Sequence, residues 1–191
     1  MKSAELHAEF PGIPLKQFKE LLFDDTSFQQ HVHKTQGHSN VNISQWTETY
    51  NDGSKQEKTR TVTFDSPFDA PGAVKKFVGM EVAQGITSGK MTVYGTNLQS
   101  PAHAEIHRVE VETVMNITNG ALKDQMVVHI HWIAVPSQCG RGTILQQIIR
   151  CEFRKWIPMI QGSIESSSLN NAQKTFENWV VCARQRCASA S

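Results

Sequence analysis

The residues of this chain with the type and spacing to do chemistry are few, and the histidines come first. His129 and His131 sit two apart in MVVHIHWIAV, which puts both imidazoles on one face of a strand. His103 and His107 share a face of another stretch. Four imidazoles on neighbouring strands would suit a transition metal. A site of that kind also wants a carboxylate at defined spacing, and HIHWIAVP supplies none. With Trp132 turned inward, His129 and His131 face water, so no metal is expected. Cys139-Gly140-Arg141 places a thiol beside a cation, but a cysteine between two elements is more often incidental than reactive. Arg60, Glu81 and the His129/His131 pair are the other titratable candidates for a buried reaction centre, and none has an evident partner. The sequence has no Gly-x-Ser-x-Gly elbow, phosphate-cradling glycine loop or His-Glu-x-x-His. No catalytic residue and no cofactor are assigned.

Apolar content and charge are those of an ordinary soluble globule. At 191 residues the chain suits one large domain with a substantial core. A net charge of +1 gives no whole-molecule attraction for nucleic acid. No apolar run reaches the length of a membrane span. The opening MKSAELHAEFPGIPLK lacks the apolar core of a secretory signal. The four cysteines, Cys139, Cys151, Cys182 and Cys187, make no Cys-x-x-Cys pair. They are expected as free thiols in a reducing, cytoplasmic setting.

The element that must organise the rest runs from Thr143 to Arg184. Leu145, Ile149, Phe153, Trp156, Ile160, Ile164, Leu169, Ala172, Phe176 and Val180 recur at helical spacing. One helix of that length would span roughly 60 Å, whereas a chain of this size has a radius of gyration of about 16 Å. Pro158 is the expected break, leaving a shorter helix up to Trp156 and a principal helix over 157–183. Arg141, Arg150, Arg154 and Lys155 would give the shorter helix a basic surface. Before it, residues 1–12 read as a lead-in. Leu15, Phe18 and Leu22 mark a first short helix, and Asp24-Asp25-Thr26 caps a second one carrying Phe28 and Val32. Gly37 ends that unit.

From Val41 the period changes to two. NVNISQWTETY, KTRTVTF, FVGMEVAQG, KMTVYGTNL, HAEIHRVEVETVMNIT and MVVHIHWIAV read as about six strands, with a hairpin turn at Asn51-Asp52-Gly53. In the longest, Val109, Val111, Thr113, Met115 and Ile117 alternate with Arg108, Glu110 and Glu112, the pattern of an antiparallel sheet with one wet face. SPFDAPGAVKK lies between as a loop. The predicted class is α+β: two short helices, a curved antiparallel sheet, and a long C-terminal helix whose apolar stripe only the sheet can cover. Such an arrangement can leave a cavity between its layers. Residues 184–191 read as a frayed tail.

The ordered series resembles the VASt domain, the steroidogenic-acute-regulatory-protein-like (START-like) lipid-transfer domain of the Lam and Aster sterol transporters. The series is Phe18, Leu21-Leu22-Phe23-Asp24-Asp25, Phe28, Gly37, Trp46, Gly53, Arg60, the loop ending in Lys75, HRVEVETVMNIT, Trp156-Ile157 and Ile164-Glu165. The resemblance spans roughly 13–181 and supports a domain over 13–183. It implies a helix-grip fold and a sterol cavity. It also implies transfer of sterol between membranes by a peripheral protein at membrane contact sites. Two departures stand out. The loop reads Gly72-Ala73-Val74-Lys75-Lys76 where the family has Gly-Pro-Lys, and 136–150 is longer and more apolar than usual. The pleckstrin-like domain and membrane anchor usual in the family are not in this sequence, which suits a stand-alone carrier or one piece of a larger protein.

A sterol site needs dry walls and a few polar groups for one hydroxyl. The candidate wall is Phe64, Val78, Met80, Val93, Val109, Val111, Met115, Ile130, Trp132, Ile160, Ile164 and Phe176. Alternation alone does not separate cavity wall from core. In the loop, Phe68 and Val74 would cap the cavity or dip into lipid. Lys75 and Lys76 would meet anionic headgroups. Two other readings remain: a helix-grip cyclase or hydrolase with a hydrophobic substrate, and a tethering module whose pocket is filled by its own side chains.

Overall fold

The computed structural model describes residues 3–68, 72–155 and 161–190. Among these residues eight antiparallel strands form one sheet, two more than the sequence suggests, ordered β1-β8-β7-β6-β5-β4-β2 with β3 also on β4. The strands are β1 (Ser3–Phe10), β2 (Ser39–Ile43), β3 (Thr47–Asn51), β4 (Lys55–Pro67), β5 (Val82–Thr96), β6 (Glu105–Ile117), β7 (Met126–Pro136) and β8 (Thr143–Phe153). The helices are α1 (Leu15–Phe18), which continues as a wide π-helical turn over Lys19–Asp24, then α2 (Thr26–Thr35), α3 (Gly72–Val78) and α4 (Gln161–Ser189).

Three segments differ from the sequence reading. The stretch that reads as a shorter helix is β8. Leu145, Ile149 and Phe153 are four apart, and four residues is close to one helical turn but also two strand periods. The intervening residues settle the matter. Thr143, Leu145, Gln147, Ile149 and Cys151 are all buried, and β-branched Ile144 and Ile148 lie on the opposite face. β8 is paired on both sides, with β7 and with β1. The expected lead-in is therefore an edge strand, running from Ser3 opposite Arg150 to Phe10 opposite Thr143.

The second difference is α3. FVGMEVAQG reads as a strand and SPFDAPGAVKK as a loop, but Gly72–Val78 is helical. Gly79, at φ +65°, ends it, its N–H donating to the Lys75 carbonyl at 2.8 Å. The expected strand KMTVYGTNL is the second half of β5, which runs unbroken for 15 residues. The third is NVNISQWTETY, which is two strands on β4 with Trp46 in the gap. The Trp46 indole N–H donates to the Phe23 carbonyl at 2.9 Å and ties the gap to the helices.

Elsewhere the local signals hold. Asp25 caps α2, its Oδ1 accepting from the Ser27 N–H at 2.8 Å, and Gly37 follows at φ +75°. The principal helix α4 extends to Ser189, through most of the residues expected to fray. Trp156, Ile157, Pro158 and Ile160 lie outside the described residues. Among the described residues none of the four cysteines forms a disulfide, and only Cys139 is exposed.

One cluster of buried side chains joins Phe10, Phe18, Phe23, Phe28, Val93, Val109, Phe176 and Trp179. A second joins Val74, Val78, Met80, Ile117, Leu122, Met126 and Ile164 near α3. Between them is space.

Candidate functional site

A cavity of about 310 Å³ lies between the inner face of the sheet and the helices. β4 contributes Arg60, Val62 and Phe64, β5 Gly85, Thr87 and Gly89, and β6 Val111, Thr113 and Met115. β7 contributes Val128, Ile130 and Trp132, and β8 Gln147 and Ile149. Ile164, Ser167, Ser168, Asn171, Ala172 and Thr175 of α4 close the other side, with Val32, His33 and Gln36 of α2. In a flat sheet β4 and β8 would lie ~19 Å apart. That both border one cavity under one helix requires the sheet to bend around α4.

The space is kept by small residues at chosen places. A Cβ on Gly85 would meet Phe64 Cζ at 2.8 Å, so only glycine leaves room for that ring. Phe64 in turn stacks on His38, with ring centroids 4.7 Å apart and planes 13° from parallel. His38 Nδ1 lies 2.7 Å from His33 Nδ1, so one imidazole donates and the other accepts. Burial first, then the charges of His38 and Arg60, hold the His33 pKa at about 4. Burial also lowers His38. Both imidazoles are neutral at pH 7.

Arg60 is the cation of the wall. Its guanidinium carbon is 4.3 Å from the centre of the Trp46 ring. Its Nη1 is buried with no hydrogen-bond partner among the described residues. Burial lowers its pKa to about 10, with Asp24 opposing, so it stays charged. Asp24 Oδ2 is held by Lys19 Nζ at 2.6 Å. The described lining contains no Asp or Glu. On the far wall Gln147 is 3% exposed, and its Oε1 is also unpartnered among the described residues.

The wall predicted from sequence divides. Phe64, Phe68, Val111, Met115, Ile130, Trp132 and Ile164 line the cavity. Val78 and Met80 pack instead with Val74 in the cluster at α3. Val93, Val109 and Phe176 fill the aromatic cluster at the other end. Alternation gives the face of a strand but not the position along it where filling stops. Val74 is 3% exposed and so is not available to dip into lipid. Lys75 lies at the surface, 3.9 Å from the Glu81 carboxylate, and Ile160 is outside the described residues.

Sequence reasoning misses His33, His38, Trp46, Gln147 and the polar stripe of α4. Gly85 and Gly89 in mid-strand are the available signal, since glycine inside a strand marks a close approach. His129 and His131 lie on the outer face, 3.3 Å from Glu152 and 3.0 Å from Glu110. Those carboxylates come from adjacent strands, where spacing along β7 could not show them. Glu110 and Glu112 with His131 bring ligand atoms within 4.8 Å of one another. Glu110 is also bonded to Arg108. His103 and His107 are exposed and apart from the cavity. Burial, then the charge of Glu165, pushes the Cys151 thiol up to about 11, which makes it a poor nucleophile.

Residues 6–171 match the family described as the VAD1 Analog of StAR-related lipid transfer domain, VASt. The chain belongs to the VASt family. Among solved structures, the protein TTHA0849 from Thermus thermophilus is 13% identical, with a TM-score of 0.51 over 100% of this chain and 99% of that one. A START superfamily protein from Mycobacterium smegmatis is also 13% identical, with a TM-score of 0.47 over 99% of each chain. No curated protein matches the sequence. The VASt domain seen here has a START-like fold, with a large antiparallel sheet gripping a long C-terminal helix. That places it in the lipid-binding class. No described helix is long and apolar enough to cross a membrane.

Proposed function

We propose that this VASt domain binds a sterol, or a lipid of similar girth, and carries it between membranes without catalysing a reaction. The observation that carries the reading is the cavity itself, walled by apolar side chains of five strands and closed by α4. Its volume of about 310 Å³ is at the small end for ligand sites and suits one slender lipid rather than a two-chained one. Each buried CH₂ contributes about 0.8 kcal/mol. The wall need only match what the bilayer offers, because a carrier must also release.

The segment Ser66, Pro67 and Phe68 borders the cavity, as do Ser167, Ser168 and Asn171 of α4, and is the proposed gate. The Phe68 N–H donates to the Glu81 carbonyl at 2.9 Å, which fixes its base. Beside it Lys75 and exposed Lys76 would touch anionic headgroups, each contributing about 1 kcal/mol. This supports a peripheral, cytoplasmic protein working at membrane contact sites.

A cyclase or hydrolase would need an acid–base pair aimed at the ligand. His33 and His38 turn their Nδ1 atoms to each other, and no carboxylate is in the described lining. A tethering module with a vestigial pocket would have the space filled, and it is open. The test is titration with a fluorescent sterol, competed by unlabelled sterol, followed by transfer between liposomes. Saturable binding near one per chain is expected, as is slower transfer by Phe68→Asp. Absence of competed binding in folded protein would overturn the sterol reading, and unchanged transfer by the variant would remove the gate.

A further inference from the structure

We infer that the cavity selects amphiphiles whose buried end is an anion, held by Arg60. The inference rests on the lipid-site reading and names the class of ligand. A buried guanidinium is costly unless an anion or several acceptors face it. Arg60 has the charge of Asp24 near it but no hydrogen bond from it: Nη1 is buried without a partner among the described residues, Asp24 Oδ2 is held by Lys19 at 2.6 Å, and Asp24 Oδ1 is likewise buried without a partner among the described residues. The guanidinium carbon lies over the Trp46 ring, 4.3 Å from its centre. Gly89 lies opposite Arg60 in the sheet, where a Cβ would sit in ordinary contact with the Trp46 ring at 3.6 Å and with Arg60 Cγ at 3.7 Å. The guanidinium is thus held at the cavity wall with Nη1 lacking an acceptor among the described residues.

A neutral sterol hydroxyl would satisfy one N–H and leave the charge unmatched. A carboxylate or sulfate would do both, with two parallel hydrogen bonds. No acidic side chain in the described lining would repel it. The far wall sets the orientation. Gln147 presents a buried carbonyl oxygen without a donor, which disfavours an anion there. The charged end therefore lies at β4 and the apolar body runs toward β7 and β8.

The carboxylate of a fatty acid and the sulfate of a conjugated sterol share this chemistry, and matched pairs separate them. Binding to the whole chain would be measured for cholesteryl sulfate against cholesterol, and for cis-parinaric acid against its methyl ester. The anionic member of at least one pair is expected to bind about tenfold or more tighter. Arg60→Gln should erase that difference and Arg60→Lys should retain part of it. Equal affinities within both pairs in the wild-type chain would overturn the inference, whether or not either variant folds. So would a preference that survives Arg60→Gln. If cholesterol binds as well as its sulfate, the sterol-carrier reading stands and the anion inference falls. If only the fatty acid binds, and better than its ester, the reverse holds. Binding of none of the four would sink both.

Discussion

The two halves of α4 face the same sheet across very different spaces. Its C-terminal half buries Phe176, Trp179, Val180, Cys182, Ala183 and Cys187. Its N-terminal half buries only Ile164 and Glu165 among the described residues and turns Ser167, Ser168, Asn171 and Thr175 toward the cavity. The sheet matches it half for half. Val93 and Val109 are fully buried beneath the filled end, whereas Gly85, Thr87 and Thr113 stand beneath the hollow one. The fold is stabilised at one end so that the other can stay open. An empty apolar space costs stability, because its lining loses contacts that a packed core would make.

Removing the centre of the filled end should have the largest effect. The Trp179 ring lies 4.9 Å from Trp132, 5.6 Å from Phe28, and 6.2–6.3 Å from Phe10, Phe18 and Phe23. It joins the N-terminal helices, β1 and β7 to α4. Trp179→Ala should cost about 3–5 kcal/mol, seen in thermal unfolding as a fall of roughly 6–20 °C in Tm. A Tm within ~2 °C of wild type would mean that the aromatic cluster is not what holds the two layers together.

The next effect belongs to the hollow end and is read in pH. His33 titrates near 4 in the fold, against 6.5 when free. The charged or titratable groups facing it are His38 and Arg60, neither of which favours a proton there. As pH falls below 6.5 the unfolded chain takes up the proton first. Stability is therefore full above 6.5 and declines as pH drops toward 4, by on the order of 3 kcal/mol. Denaturant midpoints across that range should show the slope. His33→Phe, which keeps a ring against Phe64, should flatten it, and an unchanged slope in the variant would assign the loss to other groups.

These two ends are not equally legible in the sequence. The filled end uses the common signals: Leu15, Phe18 and Leu22 at helical spacing, Asp25 as a cap, and apolar alternation in β6 and β7. Those signals, with the ordered resemblance, are enough for the fold class and the family. The strand β8 escapes because its key apolar spacing of four fits both periods, and β1 escapes because its partner does. The cavity is harder because it is made of exceptions to patterning. A buried Gln147, a neutral histidine pair and glycines in mid-strand are each ordinary along the chain. They gain meaning only when β4, β5, β8 and α2 meet. Facing direction is a local property of a strand, whereas depth of filling depends on what the opposite layer supplies.

The glycine that keeps the hollow end open offers a smaller effect, on binding rather than stability. A methyl group at Gly85 would approach Phe64 Cζ to 2.8 Å, so the ring must leave its stack on His38 and move into the cavity. Gly85→Ala is expected to weaken ligand binding about tenfold, or ~1.4 kcal/mol, with little change in Tm. Wild-type affinity in the variant would show that the ligand does not use the space beside Phe64.

The smallest effect, at Ser167, is read against its counterpart at Cys182, one substitution type placed in both halves of α4. Cys182 is 4% exposed in the packed half, with its sulfur 3.7 Å from the Thr35 hydroxyl. Leucine there must push neighbours aside, at a cost of about 1–3 kcal/mol. Ser167 borders the cavity, and leucine there would extend into open volume. It also replaces a weaker helix former with a stronger one. Ser167→Leu should therefore change stability by no more than about 0.5 kcal/mol, while narrowing the space a ligand enters. Measured side by side by chemical denaturation, the pair isolates packing from helix propensity, since both positions lie in one continuous helix. Equal destabilisation by the two would mean that α4 is packed along its whole length, and the distinction between wall and core would fail.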